Sequence, residues 1–268
     1  MKEKVVLKSI GYLFYFLFVS FASSFGVLLF KAFTDMDWLS QTYDALLNDD
    51  TAQYLKLILE MAPLSLLITD VLIVVPFIAM KLKKKEQIIR KPGVTNVVLM
   101  LFVGLFLNLA VTICCTYIPF PDSWQQDLSL VTSVAVSMPP VLSILCTGIL
   151  APVMEEIIFR YGIFNKLKQK NVTVALIVSS LLFGLMHGNV IQGGYAFLIG
   201  MVIAAIYNKT NNLLDAILIH VGVNLSSVLY TFTNLNEILY LLSLTVIFGG
   251  IVLILQKKAP FTLAPAQA

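Results

Sequence analysis

The chain has 268 residues, 59% of them hydrophobic and 12% charged, with a mean hydropathy of +0.90. Soluble globular domains carry about 25% charged residues, so this composition excludes one and points to a polytopic membrane protein. The net charge of +3, from 18 Lys and Arg against 15 Asp and Glu, says less than its distribution along the chain, and no nucleic-acid partner is expected.

Lys2, Lys4 and Lys8 precede an apolar run over residues 9 to 33, close to the ~20 residues that cross the hydrocarbon as a helix. The run is too long for a cleavable signal peptide and lacks a small-residue cleavage site, so it reads as a first span. The next stretch carries Asp35, Asp37, Asp44, Asp49 and Asp50. By the positive-inside rule the start is cytoplasmic and this acidic loop is outside.

A second span over residues 54 to 80 runs into the basic stretch 81 to 91, which contains six Lys and Arg at Lys81, Lys83, Lys84, Lys85, Arg90 and Lys91 and reads as an inner loop. Glu60 lies near the outer edge of this span, and Asp70 lies deep enough to belong to a polar interior. A third span covers residues 94 to 118. Residues 128 to 138 then read as an irregular or partly helical approach, ended by Pro139 and Pro140.

The fourth span starts near Pro140 and ends at Lys166, Lys168 and Lys170. A fifth covers residues 172 to 187, followed by a Gly-rich turn over residues 188 to 194 and a sixth, short span over residues 195 to 207. A seventh carries Asp215, His220 and Asn224, and an eighth covers residues 238 to 255, leaving Lys257 and Lys258 inside. The expected fold is therefore all-α, a polytopic membrane helix bundle of about eight transmembrane helices with both termini cytoplasmic. Residues 1–139 hold the first three spans and residues 140–268 the rest, within one integral membrane domain. Cys114, Cys115 and Cys146 form no CxxC spacing and read as buried apolar residues.

The fourth span places Glu155, Glu156 and Arg160 in an apolar run, where each ionisable group costs at least ~2.5 kcal/mol to insert and so tends to be paired or to line a watered cavity. Glu156 and Arg160, spaced i,i+4, share a helix face; Glu155, rotated by about 100°, can address a different helix. The chain's two histidines also sit in late apolar spans, His187 four residues after Phe183 and His220 four before Asn224. Counted from the inner ends at ~1.5 Å per residue, Glu155 lies ~15 Å deep, His220 ~12 Å, Asn224 ~18 Å and His187 ~22 Å. The groups can meet near mid-membrane.

Such groups suit a hydrolysis. A carboxylate or imidazole can take a proton from water, a second imidazole or an amide can stabilise the oxyanion, and Arg160 can hold a carboxylate in place. The same nitrogens and oxygens could bind zinc or another divalent metal, with Glu155, His187 and His220 as ligands if a metal is used.

Glu155-Glu156-Ile-Ile-Phe-Arg160, Phe183-Gly-Leu-Met-His187 and His220-Val-Gly-Val-Asn224 resemble the motifs EExxxR, FxxxH and HxxxN/D of the CPBP (Abi) family of CAAX prenyl endopeptidases and bacteriocin-processing or immunity proteins. The resemblance covers about residues 140 to 230. It implies an intramembrane endopeptidase with a site opening to the cytosol, membrane lipid around it and a protein or peptide substrate. Carried over, Glu155 and His187 activate water, His220 and Asn224 stabilise the oxyanion, and Glu156 with Arg160 support the site. The resemblance leaves open whether a metal takes part. A non-catalytic scaffold, sensor or immunity protein is the second reading, and a proton-coupled transporter the third, disfavoured by the absence of a repeat and by the crowding of polar residues into one half.

Overall fold

A computed structural model describes residues 2–84, 93–233 and 235–258. The basic stretch at residues 81 to 91 therefore lies, from residue 85 on, outside the described residues. All secondary structure among the described residues is helical: α1 (Lys2–Thr34), α2 (Met36–Leu47), α3 (Thr51–Leu59), α4 (Ala62–Lys84), α5 (Val94–Tyr117), α6 (Asp122–Ser137), α7 (Pro140–Leu167), α8 (Val172–Leu185), α9 (Val190–Thr210), α10 (Leu213–Tyr230) and α11 (Glu237–Lys258). Seven helical stretches are long and apolar enough to cross a membrane: Ser9–Thr34, Lys56–Lys81, Val94–Tyr117, Pro140–Leu167, Val190–Thr210, Leu213–Tyr230 and Glu237–Gln256. α8 has the composition but only 14 residues, so its ~21 Å falls short of the ~30 Å hydrocarbon core.

Two expected boundaries move. The stretch read as a Gly-rich turn is mostly the first turn of α9, because Asn189 Oδ1 accepts from the backbone N–H of Gln192 at 2.8 Å and starts the helix at Val190. Gly193 faces Gly184 of α8, where a Cβ on Gly184 would stand 2.5 Å from the Gly193 carbonyl oxygen. The glycines thus serve close helix packing, and the real turn is centred on Gly188, at φ +74. The stretch before Pro139, expected to be irregular or partly helical, is helical throughout as α6, since nothing in residues 122 to 137 breaks a helix until the proline pair does.

The acidic stretch after α1 also folds. Asp35 caps α2 by accepting from the N–H of Trp38 at 2.9 Å, and the Trp38 indole, 4% exposed, donates to the Leu57 carbonyl of α3 at 3.2 Å. Val27, Trp38, Leu57 and Met61 close a small apolar cluster there. The expected second span is divided at Glu60 into α3 and α4, because Pro63 lacks the N–H that would continue the α3 ladder. Glu60 is exposed at that break, whereas Asp70 is buried.

α1 packs on α4 and on the late part of α7, α4 lies against residues 144 to 156 of α7, and α5 packs along α10 and α11. The α5–α10 contact is backbone to backbone: a Cβ on Gly104 would stand 2.0 Å from the Ile219 carbonyl oxygen, and one on Gly222 2.5 Å from that of Leu101. Asn108 of α5 adds hydrogen bonds to the Ser226 and Ser227 hydroxyls of α10, at 2.8 and 3.0 Å. The main core comes from α1, α4, α5 and α7 to α10, with Ile158, Phe159, Ile163, Phe183, Ile203 and Ile219 at its centre. Apolar side chains also face outward, such as Phe14, Phe18 and Phe21 of α1 and Leu239, Val246 and Leu253 of α11, as a bilayer solvent requires. For the same reason one cysteine expectation fails: Cys146 is buried, but Cys114 is exposed on the outer side of α5 and Cys115 partly so.

Candidate active site

The site is built on α7, which is not a regular α-helix. Residues Ile144–Leu150 and Ile157–Phe164 are wound as π-helix, flanking the α-helical turn Ala151–Glu156 that carries both glutamates. The first wide segment has a chemical cause. The N–H of Ala151 bonds to the Cys146 carbonyl, five residues back. The next donor in that pattern would be residue 152, which is proline and has none. The Thr147 carbonyl is left for another partner, and Asn224 Nδ2 of α10 donates to it at 3.1 Å.

From this frame the ionisable groups form a chain. Arg160 Nε lies 3.1 Å from Glu156 Oε2, and neither side chain has any exposed surface. Arg160 also donates to the Gly200 carbonyl of α9 at 3.4 Å, and its guanidinium sits over the Phe183 ring at 5.0 Å. Glu156 Oε1 meets His220 Nδ1 at 2.9 Å. His220 Nε2 in turn faces Glu155 Oε2 at 3.5 Å. That last separation is long for a hydrogen bond, so Nε2 and the Glu155 carboxylate are close without being committed to each other. The Glu155 side chain retains 20% exposure, against 4% for His220.

Phe183 organises the histidines. Its ring meets His187 edge-on with centroids 4.9 Å apart, His220 at 5.3 Å and Phe159 at 5.3 Å. His187 stands in the turn after α8, with Nδ1 2.9 Å from the Phe183 carbonyl oxygen. A carbonyl oxygen only accepts, so Nδ1 carries the hydrogen and Nε2 offers a lone pair. This geometry suits a base.

Of the residues picked out in the sequence, Glu155, Glu156, Arg160 and His220 are joined directly; His187 is linked to His220 through the Phe183 ring, and Asn224 is engaged with the α7 backbone. Glu155, His187 and His220 do not gather as a metal set, since no three His, Cys, Asp or Glu among the described residues stand together as ion ligands. Both His220 nitrogens face carboxylates instead. Sequence reasoning missed Thr147 and Gly200, which act through backbone carbonyls and leave no side-chain signal. The phenylalanine of the FxxxH pattern did mark Phe183.

Residues 137–226 match the family model described as type II CAAX prenyl endopeptidase Rce1-like. The chain is similar to "UPF0177 protein YxdF" of Lactococcus lactis subsp. lactis (strain IL1403), 28% identical over 161 residues, covering 59% of this chain and 89% of that protein. It is also similar to "Putative membrane peptidase YdiL" of Bacillus subtilis (strain 168), 30% identical over 101 residues, covering 37% of this chain and 41% of that protein. No solved structure gives a significant match. The Rce1-like match lies over the same stretch that gathers Glu155, Glu156, Arg160, His187 and His220, and together with these two relatives it supports a CPBP family member and a membrane protease-type function for this helical membrane protein.

Proposed function

We propose that the chain is an intramembrane endopeptidase that hydrolyses a peptide bond in a membrane-associated protein or a peptide precursor, using water activated by Glu155 and His187. The observation that carries this reading is the buried series Arg160, Glu156, His220, Glu155, which ends on a partly exposed carboxylate. Arg160 and Glu156 fix the far side of the His220 ring. Glu155, not locked in a hydrogen bond, takes the proton of a water molecule as its oxygen attacks the carbonyl carbon, and the Nε2 lone pair of His187 assists. His220, donating from Nε2 when protonated, and the second N–H of the Asn224 amide stabilise the oxyanion. The proton then passes to the amine nitrogen as the C–N bond breaks.

In this reading the setting is a bacterial plasma membrane, with both termini cytoplasmic and the site facing the cytosol. The partners are lipid and the peptide substrate. Mass spectrometry of membrane and secreted peptides from cells with and without the chain identifies that substrate, which is then resynthesised and offered to purified protein. Glu155→Gln, His187→Ala and His220→Ala are each expected to lower cleavage by at least about a hundredfold while the protein still inserts and accumulates. Full cleavage by any one of them removes that residue from the mechanism.

A further inference from the structure

Asp70 lies on α4, in the half of the chain that the three motifs do not reach. It is 1% exposed, and neither carboxyl oxygen has a hydrogen-bond partner. Helix α4 packs against residues 144 to 156 of α7. Glu155 and Cys146, both on that stretch of α7, lie within electrostatic reach of the Asp70 carboxyl. Its depth is comparable: Asp70 is ~21 Å from the Lys84 end of α4, and Glu155 is somewhat less than ~18 Å from the Leu167 end of α7, whose π-wound turns rise less per residue. Glu155 Oε2 is likewise without a hydrogen bond. Three carboxyl oxygens from two helices are thus unsatisfied in one region at apolar depth, where each such group is costly. Buried polar groups are satisfied by protein or by ordered water, and a buried water needs two to four polar partners.

We propose that Asp70 is a third carboxyl of the active site, which holds the nucleophilic water against Glu155. The proposal rests on the endopeptidase reading. The water donates one hydrogen to Glu155, which shares that proton with the Nε2 lone pair of His187, and the other to Asp70, which leaves an oxygen lone pair free for the substrate carbonyl carbon. Glu155 takes its proton as the C–O bond forms and returns it to the amine nitrogen as the C–N bond breaks. Asp70 neither gains nor loses a proton; it orients the nucleophile.

The variants that test this are Asp70→Leu, which accepts no hydrogen bond, and Asp70→Asn, whose amide oxygen still can. With the resynthesised peptide substrate as probe, kcat falls in the order wild type, Asn, Leu, by at least about tenfold for Leu, while KM stays within a few fold. Thermal melting in the same detergent separates this role from a structural one. A carboxyl kept for function is not needed for folding, so Asp70→Leu melts at or above wild type. A folded Asp70→Leu whose kcat falls less than tenfold overturns the proposal. So does loss of fold in both variants, which makes Asp70 a structural residue. If wild-type protein cleaves no peptide at all, the endopeptidase reading falls instead, and the melting comparison still decides whether Asp70 is there for stability.

Discussion

Pro152 has no N–H to give, and that missing donor decides what Asn224 does in the resting site. Asn224 satisfies the Thr147 carbonyl, which in a membrane has no water to turn to. Asn224→Ala is therefore expected to cost about 1 kcal/mol of stability by leaving a half-buried acceptor unpaired. Pro152→Ala, which restores a backbone donor, should recover much of that cost in the double variant, as read by thermal melting of all four forms. Additive losses would show that the bond contributes little. Pro76 makes a parallel case in α4, where the Leu72 carbonyl four residues back accepts from the Tyr15 hydroxyl of α1 at 3.0 Å. At the same scale, His220 sits between two carboxylates and His187 spends Nδ1 on a carbonyl. With water activated directly by Glu155 and His187, cleavage by the purified protein should survive rigorous chelation. Activity that vanishes and returns only with stoichiometric zinc would mean a catalytic metal, for which Glu155, His187 and His220 are the first ligands to test.

Helix α7 places two adjacent carboxylates on the two nitrogens of one ring, Glu156 on His220 Nδ1 and Glu155 facing Nε2. An unbroken α-helix already separates Glu155 and Glu156 by about 100°, and the wide turns on either side mark the irregularity that membrane helices tolerate at functional sites. Outside the spans, α2 offers a pH test. The Lys31 side chain, and after it the Trp38 N–H, hold the Asp35 carboxyl below its usual value. A carboxyl with a lowered folded-state pKa contributes stability in full above its unfolded value, and that contribution is lost as pH falls through the folded one. Docking of α2, followed by Trp38 fluorescence in a Trp124→Phe background, should thus hold at neutral pH and weaken only on acidification below the ordinary carboxylate range. Asp35→Asn should flatten this acid transition. A Trp38 signal that is unchanged by acid in the parent would show that the cap does not hold α2.

For the whole molecule, the end of the bundle that carries Lys84 and Lys168 is expected to face the cytoplasm. In a variant lacking Cys114, Cys115 and Cys146, a cysteine at position 86 should escape an impermeant reagent in intact cells, and one at position 125 should react. The reverse pattern would invert the bundle and place the site's approach on the outer side.

Composition and spacing determined the all-helical membrane class, most spans, and the meeting of Glu156 with Arg160, because hydrophobic length and the i,i+4 period act locally along one helix. The facing of Glu155 and His220 was also within reach, since depth counts along two spans bring them level. Tertiary structure alone decided the rest. The halves of the chain share a bundle because Gly104 and Gly222 let α5 touch α10 backbone to backbone. α8 stops short of a full crossing and leaves His187 in a turn. The Thr147 carbonyl found Asn224, and Asp70 came to rest beside α7. These outcomes depend on backbone groups freed by proline and on contacts between helices far apart in sequence, and neither leaves a periodic trace in the order of residues.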